Sequence, residues 1–78
     1  MTVTVYSKPQ CNYCTATYRA LDSRGIEYEV IDYTKDEAAL EFVMSTGMMS
    51  APIVVAGDDK WSGYKEDKID QLAALLAA

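Results

Sequence analysis

Apolar and polar positions alternate at both ends of the first half of the chain, and between them the period lengthens. Thr2 to Tyr6 alternates, with Val3 and Val5 on one face, and predicts a strand. Ser7-Lys8-Pro9-Gln10 breaks that pattern. From Asn12 to Arg24 the period becomes helical, because Cys14, Tyr18 and Leu21 recur at i, i+4 and i+7. Gly25 is a natural helix stop, and Arg24 sits where a cation complements the helix dipole. Ile26 to Ile31 alternates again, Ile26, Tyr28 and Val30 against Glu27 and Glu29, and predicts a second strand.

The second half repeats the logic with different punctuation. Thr34-Lys35-Asp36-Glu37 matches a capping box, a Thr followed three residues later by Glu. A helix is expected from there to about Thr46, with Ala39, Phe42 and Val43 inward and Gly47 ending it. Pro52 to Ala56 is a short apolar run that predicts a buried strand. Gly57-Asp58-Asp59 turns it into Lys60-Trp61-Ser62, a hairpin partner. A last helix begins near Lys65, with Ile69, Leu72, Ala73 and Leu76 as its apolar stripe. The order is βαβαββα. The opening β–helix–β implies a right-handed crossover and a parallel pair, and the closing hairpin an antiparallel one. The expected fold is α/β, a four-stranded mixed sheet flanked by three helices.

Composition narrows this picture. With 78 residues the chain makes a single domain, residues 1–78, near the lower size limit for an unassisted core. The net charge of −5 disfavours a nucleic-acid partner, which needs a basic face to neutralise phosphates. Charge is also uneven. Residues 1–21 carry Lys8 and Arg19 and no acid, whereas all 12 acidic residues follow. No apolar run approaches the ~20 residues that span a bilayer, and the start lacks the pattern of a secretory signal. A cytoplasmic protein with no membrane partner is expected, a setting in which paired thiols tend to be catalytic or metal-binding.

The two cysteines lie in the acid-free stretch. Cys11-Asn12-Tyr13-Cys14 is a Cys-x-x-Cys placed after a strand and at the start of a helix. Residues three apart on a helix have Cβ atoms ~5–6 Å apart, so a small adjustment brings the sulfurs to bonding distance. The unpaired N–H groups of the first turn and the positive end of the helix dipole stabilise a thiolate. Cys11, at the helix start, is expected to be the exposed nucleophile, and Cys14, one turn in, the buried resolving thiol. Three other readings compete. A structural disulfide closing a four-residue loop contributes only about 2 kcal/mol, a poor staple. A zinc site lacks half its ligands, since the chain has two cysteines and no histidine. The third reading is a pair of inert core cysteines.

Further candidates flank the dithiol. Ser50-Ala51-Pro52 is either an ordinary strand start or a cis-proline corner that offers the backbone of Ala51 to an extended partner segment. Trp61-Ser62-Gly63-Tyr64 reads by default as hairpin packing. Tyr13, between the cysteines, is assigned to substrate contact. Met48 and Met49 read by default as core filling, with an adaptable partner surface as the alternative.

With these residues in place the chain resembles the NrdH-redoxin family, within the glutaredoxin branch of the thioredoxin superfamily. The resemblance runs nearly end to end. It is carried by Tyr6-Ser7-Lys8-Pro9, Cys11-x-x-Cys14, Ala51-Pro52-Ile53-Val54-Val55 and Trp61-Ser62-Gly63-Tyr64. It implies a thioredoxin-like fold with Pro52 cis; a monomer that binds no cofactor or metal of its own is expected. It implies reducing equivalents from NADPH through thioredoxin reductase, a flavoprotein, and delivery to the large subunit of class Ib ribonucleotide reductase. Lys8, Tyr13, Ala51, Pro52, Trp61, Ser62 and Gly63 are the expected partner-binding residues, and the resemblance implies that Trp61, Ser62 and Gly63 tie down the region where glutaredoxins hold glutathione. Lys8 and Tyr13 are glutaredoxin-like, so a glutathione-dependent dithiol glutaredoxin is the alternative.

Overall fold

The computed structural model describes all 78 residues, Met1–Ala78. Its elements run β1 (Val3–Ser7), α1 (Asn12–Ser23), β2 (Glu29–Asp32), α2 (Glu37–Ser45), β3 (Ile53–Ala56), β4 (Asp59–Ser62) and α3 (Glu66–Ala77). They form one four-stranded sheet in the order β2-β1-β3-β4. β1 pairs parallel with β2, Val5 opposite Val30, and antiparallel with β3, Val5 opposite Val54. β3 and β4 close the sheet as an antiparallel hairpin with Val54 opposite Trp61.

Strand alternation sorts the side chains onto two faces. Val3, Val5, Val54, Ala56 and Trp61 point to one side and join Ala20 and Leu21 of α1 and Ile69 and Leu72 of α3 in the main core. Fully burying a side chain such as Leu21 or Ile69, both 0% exposed, stabilises the fold by about 1.5–3 kcal/mol. On the other face Tyr6 packs on Phe42 of α2, ring centroids 4.9 Å apart, above buried Ile53, Ala39 and Val43. An ion pair from Arg24 Nε to Asp70 at 2.7 Å links the end of α1 to α3.

The element order agrees with the pattern of the sequence, and several boundaries do not. β2 starts at Glu29, not Ile26. Gly25, at φ +67, turns the chain out of α1, and Ile26 drops straight into the core while Tyr28 stacks on Tyr18. Val30 is half exposed, because β2 is an edge strand. α1 ends at Ser23, and Arg24 is its cap, donating from Nη1 to the Ala20 carbonyl at 2.9 Å. The N-cap of α2 is Asp36, not Thr34. Asp36 Oδ1 accepts from Ala39 N–H at 2.9 Å, whereas the Thr34 N–H donates to Asp32 Oδ1 in a turn of its own. Leu76 is 43% exposed, so the stripe of α3 ends a turn earlier than its periodicity suggests.

Candidate active site

The site is built where β1 hands the chain to α1. Ser7, the last residue of β1, is buried, and its hydroxyl accepts a 2.6 Å hydrogen bond from Tyr18 Oη of α1. That bond fixes the strand end against the helix and so fixes the loop between them. The loop ends on Gln10, at φ 56, a left-handed conformation uncommon outside glycine, asparagine and aspartate. Nothing in the sequence singles out Gln10, because a side chain gives no warning of a left-handed backbone.

Cys11 is the N-cap of α1, and its Sγ accepts from the Cys14 N–H at 3.1 Å. A capping serine or aspartate does the same with oxygen, so the helix start gives the sulfur the stabilisation it gives an anion. Cys11 is half-buried, while Cys14 is 2% exposed on the inner side of the helix. The two are joined by a disulfide, with Cα atoms 5.2 Å apart, so the structure describes the oxidised protein. Reduction leaves one sulfur accessible and the other beneath it, the asymmetry that a two-step exchange requires.

Cys11 opens on a groove of about 440 Å³, with Lys8 and Tyr13 on its wall beside the helix start. Met49, Ser50 and Ala51 line the same groove. The Ala51–Pro52 peptide bond is cis, and Pro52 itself is buried. Neither β1 nor β4 pairs with Ala51, so its backbone faces the groove without a strand partner. No group of three or more potential ligand side chains gathers anywhere in the molecule. A larger depression of about 900 Å³, where β1 begins and bounded by Met1 and Glu29, holds neither cysteine.

Trp61 requires a correction. It is 3% exposed in the core between the sheet and the helices α1 and α3, and it does not line the groove. Its indole Nε1 has no hydrogen-bond partner, and Lys68 Nζ lies 5.6 Å from its ring centre, held also by Asp59 at 2.7 Å. A direct partner contact at Trp61 is therefore replaced by support from behind. Ser62 pairs with Ile53 across the hairpin, and the Gly63 N–H donates to the Pro52 carbonyl at 2.8 Å. Through that bond the Trp61-Ser62-Gly63 segment holds the cis-proline corner from below. Met49 requires a second correction. It is 96% exposed at the groove rim, not core filling, and the Met48-Met49 pair just before Ser50-Ala51-Pro52 was the signal available for it.

A mixed four-stranded sheet whose first helix opens on Cys11-x-x-Cys14, facing a cis-proline, defines a thiol–disulfide oxidoreductase of thioredoxin-like fold. The comparisons narrow the class. The family model described as Glutaredoxin matches residues 3–61, and the chain belongs to the glutaredoxin family. It is 38% identical to the glutaredoxin-like protein NrdH of Escherichia coli K12 over 92% of this chain and 89% of that protein. It is 30% identical to the glutaredoxin-like protein NrdH of Lactococcus lactis over 91% of this chain and 99% of the relative. The solved structure of the E. coli NrdH-redoxin superposes with a TM-score of 0.89, covering 92% of this chain and 95% of that one. A glutaredoxin from Archaeoglobus fulgidus superposes with a TM-score of 0.73 at 32% identity, covering 90% of this chain and 83% of that one. The molecule is an NrdH-like redox protein with Cys11 and Cys14 as its redox pair.

Proposed function

We propose that this dithiol carries electrons from NADPH, by way of a flavoprotein thioredoxin reductase, to the large subunit of a class Ib ribonucleotide reductase in the cytoplasm. The observation that supports this most is the end-to-end match to E. coli NrdH-redoxin, a protein described as having a thioredoxin-like activity profile.

The chemistry follows from the asymmetry of the two thiols. In the reduced protein Cys11, at the helix N-terminus where its Sγ accepts from the Cys14 N–H in the disulfide form, attacks as the thiolate one sulfur of the partner disulfide. The partner's S–S bond breaks, an S–S bond to Cys11 forms, and the first partner sulfur leaves as a thiolate that takes up a proton. Cys14 then gives up its proton and attacks Cys11 Sγ. The second partner sulfur leaves and is protonated, and the Cys11–Cys14 disulfide is restored. Two electrons pass from the cysteine pair to the partner. Thioredoxin reductase returns them by the same exchange run in reverse. Ala51, with its backbone unpaired beside Pro52, holds the partner segment extended during the attack.

Lys8 and Tyr13, which share the groove with Cys11, favour a second reading, a glutathione-dependent glutaredoxin. The discriminating experiment is NADPH oxidation in the presence of a disulfide substrate. One arm supplies thioredoxin reductase, the other glutathione with glutathione reductase. Turnover confined to the thioredoxin reductase arm is expected. Turnover confined to the glutathione arm would replace the proposal with the second reading.

A further inference from the structure

The groove beside Cys11 combines one positive charge with exposed apolar side chains. All 12 acidic residues of the chain lie outside its lining, and Lys8 is its one charged member. Two large apolar side chains stand exposed in it. Tyr13 is 60% exposed and Met49 is 96% exposed, so neither contributes its full apolar area to the fold. Tyr13 belongs to the first turn of α1 and Met49 to the segment leading to Ala51-Pro52, so they come from the two elements that bring Cys11 and Ala51 together. A thioether has three rotatable bonds and a polarizable sulfur, which lets it close on side chains of differing shape.

We propose that Met49 and Tyr13 act as an apolar clamp that selects partner segments carrying an apolar side chain next to the disulfide cysteine. Lys8 excludes basic neighbours at the same point, because no carboxylate in the groove offsets its charge. The preferred segment is thus extended, neutral or acidic, and apolar beside its cysteine. Met49 is a specificity-determining residue for the exchange, acting on which disulfide is presented and not on the bond chemistry. The inference rests on the dithiol exchange described above and not on which reductase supplies the electrons.

The test uses the full chain, reduced beforehand with dithiothreitol and freed of it, in single-turnover reactions without any reductase. Two peptides each carry one disulfide and differ at one position, a leucine or a serine beside the cysteine. The wild type is expected to reduce the leucine peptide about tenfold faster, the range that removing an apolar group from a pocket produces. In Met49→Ser that ratio falls to about twofold, and in Met49→Leu it is kept. A wild-type ratio near one, or a Met49→Ser ratio still near ten, overturns the clamp while the dithiol chemistry stands. Failure of the wild type to reduce either peptide overturns both.

Discussion

The bond from the Gly63 N–H to the Pro52 carbonyl ties the Trp61-Ser62-Gly63 segment directly to the cis-proline corner, and that corner can be perturbed without disturbing the cysteines. Gly63 sits at φ +78, and a Cβ built there lies 3.7 Å from Ser50 Cβ, an ordinary contact. Gly63→Ala therefore introduces left-handed strain without a collision. That strain is about 1–2 kcal/mol. The lower entropy of alanine in the unfolded chain offsets about 0.5 kcal/mol. The net loss is about 1 kcal/mol, or roughly 4–8 °C in Tm for a domain of this size. Gly25→Ala is the matched control. It sits at φ +67 with nothing within 4 Å of the added Cβ, and it lies at the far end of α1. Both variants are expected to lose similar stability in thermal denaturation. Only Gly63→Ala should also slow disulfide reduction severalfold, because a displaced Pro52 carbonyl moves the Ala51 backbone against Cys11. Equal rates for the two variants would refute the coupling. A much larger stability loss for Gly63→Ala would refute the strain-only estimate.

Other expectations follow from the core and its titrating groups. Ile69→Ala, at a site 0% exposed, should cost about 2–5 kcal/mol in denaturant unfolding and leave the order of thiol reactivity unchanged. Burial, assisted by the hydrogen bond to Asp22 at 3.0 Å, pushes the Tyr28 phenol up to about 12 from 10.0. Because the folded value is raised, that contribution to stability is fully present below pH 10 and is lost as pH rises through about 12. An ultraviolet titration should show a late tyrosine step that disappears in Tyr28→Phe.

Much of this architecture is legible in the chain because it is local. The spacing of Cys14, Tyr18 and Leu21 identifies α1, and placing Cys11 at its start follows from the break at Ser7-Lys8-Pro9-Gln10. The less legible features depend on competition or on register. Thr34 and Asp36 are both acceptable helix caps, and only the turn that occupies Thr34 with Asp32 decides between them. Ile26 and Tyr28 alternate like a strand, yet β1 offers β2 only the four partners from Thr4 to Ser7. The place of Gly63 opposite Pro52 depends on the turn: Asp59 belongs to β4 and not to the turn, so a two-residue Gly57-Asp58 loop sets Ser62 opposite Ile53. Met48-Met49 fits either a core or a partner surface by composition, and the exposure of Met49 at the rim of the groove decides for the surface.

The central claim is that half-buried Cys11 attacks and buried Cys14 resolves. It is tested most directly in Cys14→Ser, reduced and then mixed with a disulfide-bearing peptide, with the products read by intact-mass and peptide mass spectrometry. The account predicts a stable mixed disulfide carrying one peptide, mapped to Cys11, because nothing remains to expel the second partner sulfur. Absence of that adduct, together with an adduct on Cys14 in the reciprocal Cys11→Ser, would contradict it.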